Sequence, residues 1–355
     1  MKSRFVKPRR LILGVMQKNK YFFLVLVLLC TILSCDNDKA KAGRFLLMGN
    51  NELADLNYKE AIRLYTEAIG KDPQFKEAYN NRGVALFKSG HYAEALNDYT
   101  FAILQIDPTY TDAYKNRFEV NLVSGNFNRA LEDAEYLSKT YPDSAYTYLY
   151  QGLALTDLKR YDEAIVKFDM AYQKNPENVE AVVNQANAYY MSDRYKEARE
   201  LLQKAISIDA TEANIYNTLA LIATQEGDFQ EALKQVNQAI EIDGRNGYFS
   251  NNRGFIYLNL EELEKAEADI NMGIRLDPRN PWAYRNKAIF YYKNKSFEAA
   301  LRNIELAAQY DDSIPLLNHY WGLVLVELNR TDEACTKFSS LESSDKEMLI
   351  KKYCK

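Results

Sequence analysis

Few residues in this sequence have types suited to catalysis, and their spacing limits what they can do. His91 and His319 are the two histidines and stand far apart in the chain. No Ser-His-Asp order, glycine-rich phosphate loop, HExxH or CxxC occurs. Such a stock supplies neither an oriented general base nor a set of metal ligands. The expectation is therefore no enzyme, no metal, no cofactor and no small-molecule substrate. What recurs instead is hydrogen-bonding chemistry. The tetrapeptide Asn-Asn-Arg-Gly stands at 80–83 and again at 251–254. A carboxamide offers a donor and an acceptor side by side, and a guanidinium offers a planar fork of donors.

The distance between the two copies is set by a period. An alanine recurs at 61, 95, 130, 164, 198, 232, 266, 300 and 334, at spacings of 34 with a single 35. The extra residue lies between Tyr99 and Pro108. If the alanine is position 20 of each unit, position 17 is mostly aromatic, position 24 large or apolar, and position 27 mostly small. This 3-4-3 spacing is one face of a helix. Position 8, with Gly49, Gly83, Gly152, Gly254 and Gly322 among its occupants, is a second small site on an earlier helix. The motif is thus one place in the second and seventh of nine units.

This frame resembles the tetratricopeptide repeat, a helix-turn-helix unit stacked into a superhelix. The resemblance covers residues 42–342 and implies an all-α, right-handed superhelix (α-solenoid) of about nine repeats. Residues 343–355, with Met348, Leu349 and Tyr353, read as a C-terminal capping helix. A single unit cannot bury its own apolar face, so the tyrosines at positions 11 and 17 are expected to pack between neighbours. They are Tyr58, Tyr92, Tyr161, Tyr189, Tyr195, Tyr257 and Tyr291.

Arg82, Arg117 and Arg253 occupy position 7, and in those units alone position 23 is aspartate: Asp98, Asp133 and Asp269. In an antiparallel hairpin turning near position 15, positions 7 and 23 lie level, which predicts three internal ion pairs. Arginines awaiting an acidic ligand are the other reading. Position 6 holds Asn81, Asn116, Asn184, Asn252 and Asn286. The resemblance places position 6 on the first helix of the hairpin, facing the concave groove. A column of amides there is expected to hold the backbone of an extended peptide, or else to stay solvated. Tyr150, Tyr190 and Tyr292, at positions 6 and 12, are expected to add aromatic anchors to the same groove.

The amino terminus is of another kind. Residues 1–34 carry seven basic residues and no acid, then the apolar run Tyr21–Leu33 and Ser34-Cys35. Thirteen apolar residues suit a signal h-region and are short for a membrane span. The ending Ile32-Leu33-Ser34-Cys35 resembles a bacterial lipobox, which implies acylation of Cys35, a tether over 35–41 and a lipoprotein of the cell envelope, in the inner or the outer membrane. An uncleaved anchor is the alternative, and Met16 is a second candidate start. Without 1–34 the chain has 38 basic and 49 acidic residues, a formal net charge near −11. That balance, with no basic cluster, argues against nucleic acid. Of the remaining cysteines, Cys335 and Cys354 fall level if the last two helices form a hairpin, so a disulfide or two free thiols both fit.

The sequence therefore reads as a membrane-anchored scaffold or adaptor that binds a protein or peptide partner in the groove. The alternative is an architectural subunit of a secretion, pilus or outer-membrane assembly complex, acting through its convex face.

Overall fold

The computed structural model describes residues 38–341 and 345–354. Cys35 and the apolar run before it, and with them the expected signal and acylation, lie outside the described residues. The chain divides into two compact units at the turn after Lys159. In the first unit α1 (38–54) pairs with α2 (Tyr58–Lys71), α3 (Lys76–Lys88) with α4 (Tyr92–Phe101), and α5 (Thr111–Val123) with α6 (Phe127–Thr140), and α7 (Ala145–Asp157) closes the unit. The second unit opens with α8 (Tyr161–Lys174). Hairpins follow from α9 (Val179–Met191) and α10 (Tyr195–Ile208), α11 (Ala213–Gln225) and α12 (Phe229–Ile242), α13 (Gly247–Asn259) and α14 (Leu263–Leu276), and α15 (Pro281–Lys293) and α16 (Phe297–Tyr310). The unit ends with α17 (Leu317–Glu327), α18 (Thr331–Ser339) and α19 (Asp345–Tyr353). No strand occurs among the described residues.

The period is the arithmetic of these elements. A complete repeat has a thirteen-residue first helix, called A, a three-residue turn, a fourteen-residue second helix, called B, and a four-residue linker. The linker starts where an Asp or Asn at position 31 turns its side chain onto the backbone two residues on, as Asp72 does with Gln74 and Asp277 with Arg279. Such a residue competes with the helix and so ends it. The one 35-residue spacing is absorbed inside a helix. After α4 the chain makes a π-helical turn, Ala102–Ile106. The Asp107 amide reaches back five residues to the Ala102 carbonyl, where Asp72 reaches back four to Ala68. A π turn houses one extra residue without moving the flanking helix faces far, so the repeat frame resumes at Thr111.

Every A–B turn passes through the left-handed region at position 15, with φ between 58° and 84°. Gly90, Gly125 and Gly227 suit it, but Leu56, Lys159, Asp193, Glu261, Lys295 and Asn329 occupy the same conformation. The turn closes by backbone bonds, such as the His91 amide to the Leu86 carbonyl, that satisfy the last carbonyls of helix A.

Inside each hairpin the packing is a matter of paired sizes. The nine position-20 alanines are fully buried. Position 8 on helix A meets position 24 on helix B: a Cβ on Gly83 would lie 2.6 Å from the Tyr99 ring, and one on Gly254 2.7 Å from Ile270. Where position 8 is alanine, position 24 is the smaller Leu202, Val236 or Ile304. In the third repeat the order reverses, with Phe118 on helix A and Ala134 on helix B, both buried. The sum of volumes is thereby kept, as a close-packed core requires.

One boundary differs from the sequence reading. Residues 38–41, expected to be tether, are already helical, and Lys41 pairs with Asp38 across one turn at 3.4 Å. Asp38 stands at position 31 of this frame, but its carboxylate is engaged by Lys41 inside the first turn of the helix. At the other end Cys335 and Cys354 are joined in a disulfide, with Cα atoms 5.7 Å apart. It ties α19 over Phe338, whose ring stacks on Tyr353, and Leu349 is buried in the same cluster.

The position-15 geometry generates a prediction. An L side chain in the left-handed region costs roughly 1 kcal/mol that glycine does not. Lys295→Gly is expected to raise the unfolding free energy by about that amount in urea. An unchanged or lower midpoint would show that the Lys295 side chain contributes more than its strain.

Candidate functional site

The Asn-Asn-Arg-Gly motif does its chemistry between repeats. Asn81 Nδ2 donates to Asn50 Oδ1 in the preceding repeat at 2.9 Å, and Asn80 Oδ1 accepts from Asn116 Nδ2 in the following one at 2.8 Å. Asn80 Nδ2 bonds Asn81 Oδ1 at 3.2 Å, so the amides of three repeats form one chain, ended by the Tyr65 hydroxyl on Asn50. The second copy repeats the pattern: Asn252 Nδ2 donates back to Asn217 at 2.8 Å, and Asn251 Oδ1 accepts from Asn286 Nδ2 at 2.9 Å. Thr218, standing where the sixth repeat lacks the asparagine, reaches Asn187 at 2.6 Å.

These bonds engage four of the five position-6 amides in the stack. Asn286 is fully buried. Asn81, Asn116 and Asn252 are half-buried and their donors are committed to the preceding A helix. Asn184 is half-buried and makes no such bond among the described residues. The physical reason lies in the stacking: successive A helices pack side by side, and at that range a buried amide must find a partner or pay its desolvation.

The arginines couple three helices each. Arg82 forks onto Asp98 with two bonds of 2.7 Å, Arg253 onto Asp269 at 2.6 and 2.9 Å, and Arg117 onto Asp133 with its shortest bond at 2.6 Å. The third nitrogen of each, Nη1, donates to position 25 of the preceding B helix: Thr66, Asn237 and Thr100. Position 7 plays this backward-reaching part with other donors too. Gln151 bonds Ser138, Gln185 bonds the Ile165 carbonyl, and Lys287 bonds Glu267 at 2.8 Å. Asp133 is so deeply buried that desolvation holds its carboxyl above the usual range despite Arg117. Beside this pair lies a cleft of about 270 Å³ lined by Leu96, Thr100, Arg117, Asn121, Arg129 and Glu132. It opens because Asn121 stands at position 11, filled elsewhere by residues such as Leu86 and Tyr189.

The A helices also carry half-buried and exposed aromatic side chains. Tyr150 is half-buried and stacks on Phe118 at 4.4 Å. In the second unit Tyr190 accepts a bond from Gln225 at 3.4 Å, and Tyr292 sets its edge against Tyr320 at 5.7 Å; burial raises all three phenols of that unit. Sequence reasoning missed position 2. There Tyr248 is 53% exposed, Trp282 38% and Leu316 42%, in three successive repeats. The signal was present as large apolar residues at one repeat position, where Glu77, Asp112 and Glu180 stand in earlier repeats and Tyr146, 59% exposed, in the fourth; Leu316 caps α17 in the left-handed conformation. Next to Trp282 lies Arg285, 5% exposed, whose guanidinium is within electrostatic range of Tyr190 from the fifth repeat and Tyr320 from the ninth. A helices of separated repeats thus face one another within this unit, and the A side is its inner side.

Three tetratricopeptide repeat models match this chain, over 46–111 and 119–178, over 155–222, and over 213–246 and 249–280. The chain is built of tetratricopeptide repeats. Small glutamine-rich tetratricopeptide repeat-containing protein beta of Homo sapiens is 40% identical over 65 residues, 18% of this chain and 21% of that protein. The DnaJ homolog subfamily C member 7 homolog of Schizosaccharomyces pombe is 26% identical over 176 residues, 48% of this chain and 30% of that protein. The matched part thus spans less than a third of either relative's length. A chain in the crystal structure of the APC/C hetero-tetramer Cut9-Hcn1 has a TM-score of 0.60 at 16% identity, covering 88% of this chain and 76% of that one, a likeness of fold. Against the usual form of these repeats, the polar residues at position 7 are the departure, since that place is expected to be apolar.

The Arg117–Asp133 pair gives a test of its role. Removing one member strands a buried charge at about 3 kcal/mol or more, whereas replacing both removes the desolvation as well. Asp133→Ala is expected to be more destabilising than Arg117→Met with Asp133→Leu, measured by urea unfolding. Simple additivity of the single changes would show that the two groups do not act as a pair.

Proposed function

We propose that this chain is a lipid-anchored scaffold of the bacterial cell envelope that holds an extended segment of a partner protein along the A helices of its second unit. The observation that carries the reading is the row of Tyr248, Trp282 and Leu316, exposed at one register in successive repeats. Large apolar side chains aligned in this way mark a surface that meets another molecule. Packed helices lie about 10 Å apart, a distance that an extended chain covers in about three residues. Every third side chain of such a segment would therefore meet one member of the row. Backbone capture by the position-6 asparagines is not part of this reading, because four of the five already bond the preceding A helix.

The row is tested by crosslinking and pull-down from intact cells. Tyr248→Ser with Trp282→Ala and Leu316→Ser is expected to lower partner recovery about tenfold or more, as loss of an interface's central residues does. Helicity should be kept. Met272→Glu with Leu306→Glu, both on exposed faces of B helices, should leave recovery unchanged. The opposite pattern would remove the groove reading in favour of an architectural subunit acting through its convex face.

Anchoring is supported by the thirteen-residue apolar run that ends just before Ser34-Cys35. Mass spectrometry of the membrane-extracted protein is expected to show a chain starting at a di- or triacylated Cys35. Recovery of an intact peptide running from Leu33 to Lys39 would overturn it.

A further inference from the structure

The first repeat leaves one side of α1 without a neighbour among the described residues. In later repeats the side of helix A that carries position 6 meets the repeat before, as Asn81 meets Asn50 and Asn252 meets Asn217. On α1 the same side holds Ala40, Arg44, Leu47, Met48 and Asn51, all of them exposed. Their spacing makes a single stripe along a helix. At its middle Leu47 is 63% exposed and Met48 51%. The open end of a repeat array needs a polar face to remain in water, and this end is apolar at its centre. Large exposed apolar side chains set side by side mark a surface that meets something else.

Charge and reach say what that is. From Lys39 to Asn51 the chain carries three cations, Lys39, Lys41 and Arg44, and no acid. Lys41 is engaged by Asp38, whereas no acid pairs with Lys39 or Arg44 among the described residues. Around the helix Lys39 and Lys41 flank the stripe and Arg44 lies within it. Apolar side chains with basic ones beside them are the pattern of a helix that lies in a lipid interface. Each such cation favours an anionic lipid surface by roughly fivefold. Two residues, Asp36 and Asn37, separate Cys35 from the start of α1. That length of chain reaches roughly 10 Å at most. An acyl group on Cys35 would therefore hold the start of α1 against the bilayer. With the run Tyr21–Leu33 kept as the anchor, the reach from Leu33 is roughly 17 Å, and the same helix is held close.

We propose that this stripe of α1 lies on the anionic phospholipid surface to which the chain is anchored, so that lipid headgroups cap the first repeat. The inference rests on the anchoring part of the function proposed above and is independent of the groove. Leu47 and Met48 enter the headgroup layer, while Lys39 and Arg44 meet lipid phosphates. A contact along a helix, added to one anchor point, sets which side of the first repeat faces the membrane.

Photocrosslinking from p-benzoylphenylalanine in place of Leu47 reads the contact. The membrane-extracted full chain is reconstituted in vesicles of phosphatidylcholine, alone or with phosphatidylglycerol as the minor lipid. Leu104 of the second repeat, 62% exposed, is the control position. Irradiation is expected to give phospholipid adducts at position 47, several-fold more with phosphatidylglycerol present, and none at position 104. Lys39→Ser with Arg44→Ser should lower the yield on the mixed vesicles roughly tenfold or more. The melting temperature should not change, since both side chains are exposed. Equal yields at the two positions, equal yields on the two vesicles, or an adduct at 47 that joins two copies or two parts of one chain would each overturn the contact. Acylated Cys35 without lipid adducts at 47 would sink the contact and leave the anchor standing. Lipid adducts at 47 in a chain that keeps residues 21–33 and carries no acyl group would sink the acylation and leave the contact standing.

Discussion

The guanidinium of Arg82 touches two helices besides its own: Asp98 on the B helix of its hairpin and Thr66 on the B helix of the repeat before. That geometry answers the constraint that governs the fold. A two-helix unit exposes too much apolar surface to stand alone, so each repeat must be fixed to its neighbour. Apolar contact supplies most of the stabilisation but is indifferent to small sliding and rotation. Directional bonds from position 7 to the preceding B helix, and from position 6 to the preceding A helix, fix the register at both sides of the stack. Glycine or alanine at position 8 lets the helices of one hairpin come close enough for these donors to reach.

The sequence carried the intra-repeat part of this plainly. Nine units, their helix faces and the level of positions 7 and 23 all follow from a period and an antiparallel turn, because they depend on sequence distance alone. The bonds between repeats were less legible. Whether Asn81 meets a ligand or Asn50 depends on how one hairpin is rotated on the previous one, and no residue count contains that rotation. Residue counting alone therefore places the asparagines in the groove and does not show that Lys287 finds its acid, Glu267, in the repeat before. The π turn after α4 was legible as an extra residue, though not as a feature inside a helix, since a longer loop gives the same count.

The stacking bonds and the exposed position-2 side chains occupy different places on the A side of each repeat. Positions 6 and 7 are spent on the adjacent repeat, so variation there changes the stack. Position 2 faces solvent, so variation there changes what the surface meets. The first unit carries Glu77, Asp112 and the exposed Tyr146 at that position, and the second ends with Tyr248, Trp282 and Leu316.

The two ends of the array obey the same rule in different ways. At the carboxyl end α19 packs on the α17–α18 hairpin, tied by the Cys335–Cys354 disulfide and covering Phe338. At the amino end positions 6 and 7 of the first repeat have no earlier helix pair among the described residues to bond. They are Leu47 and Met48, 63% and 51% exposed. Neither residue brings a side-chain donor that would need a partner. Many of the polar side chains at positions 6 and 7, the cations Arg82, Arg117, Arg253 and Lys287 among them, bond the repeat before. The motif Asn-Asn-Arg-Gly is a property of the joint between two repeats more than of either one.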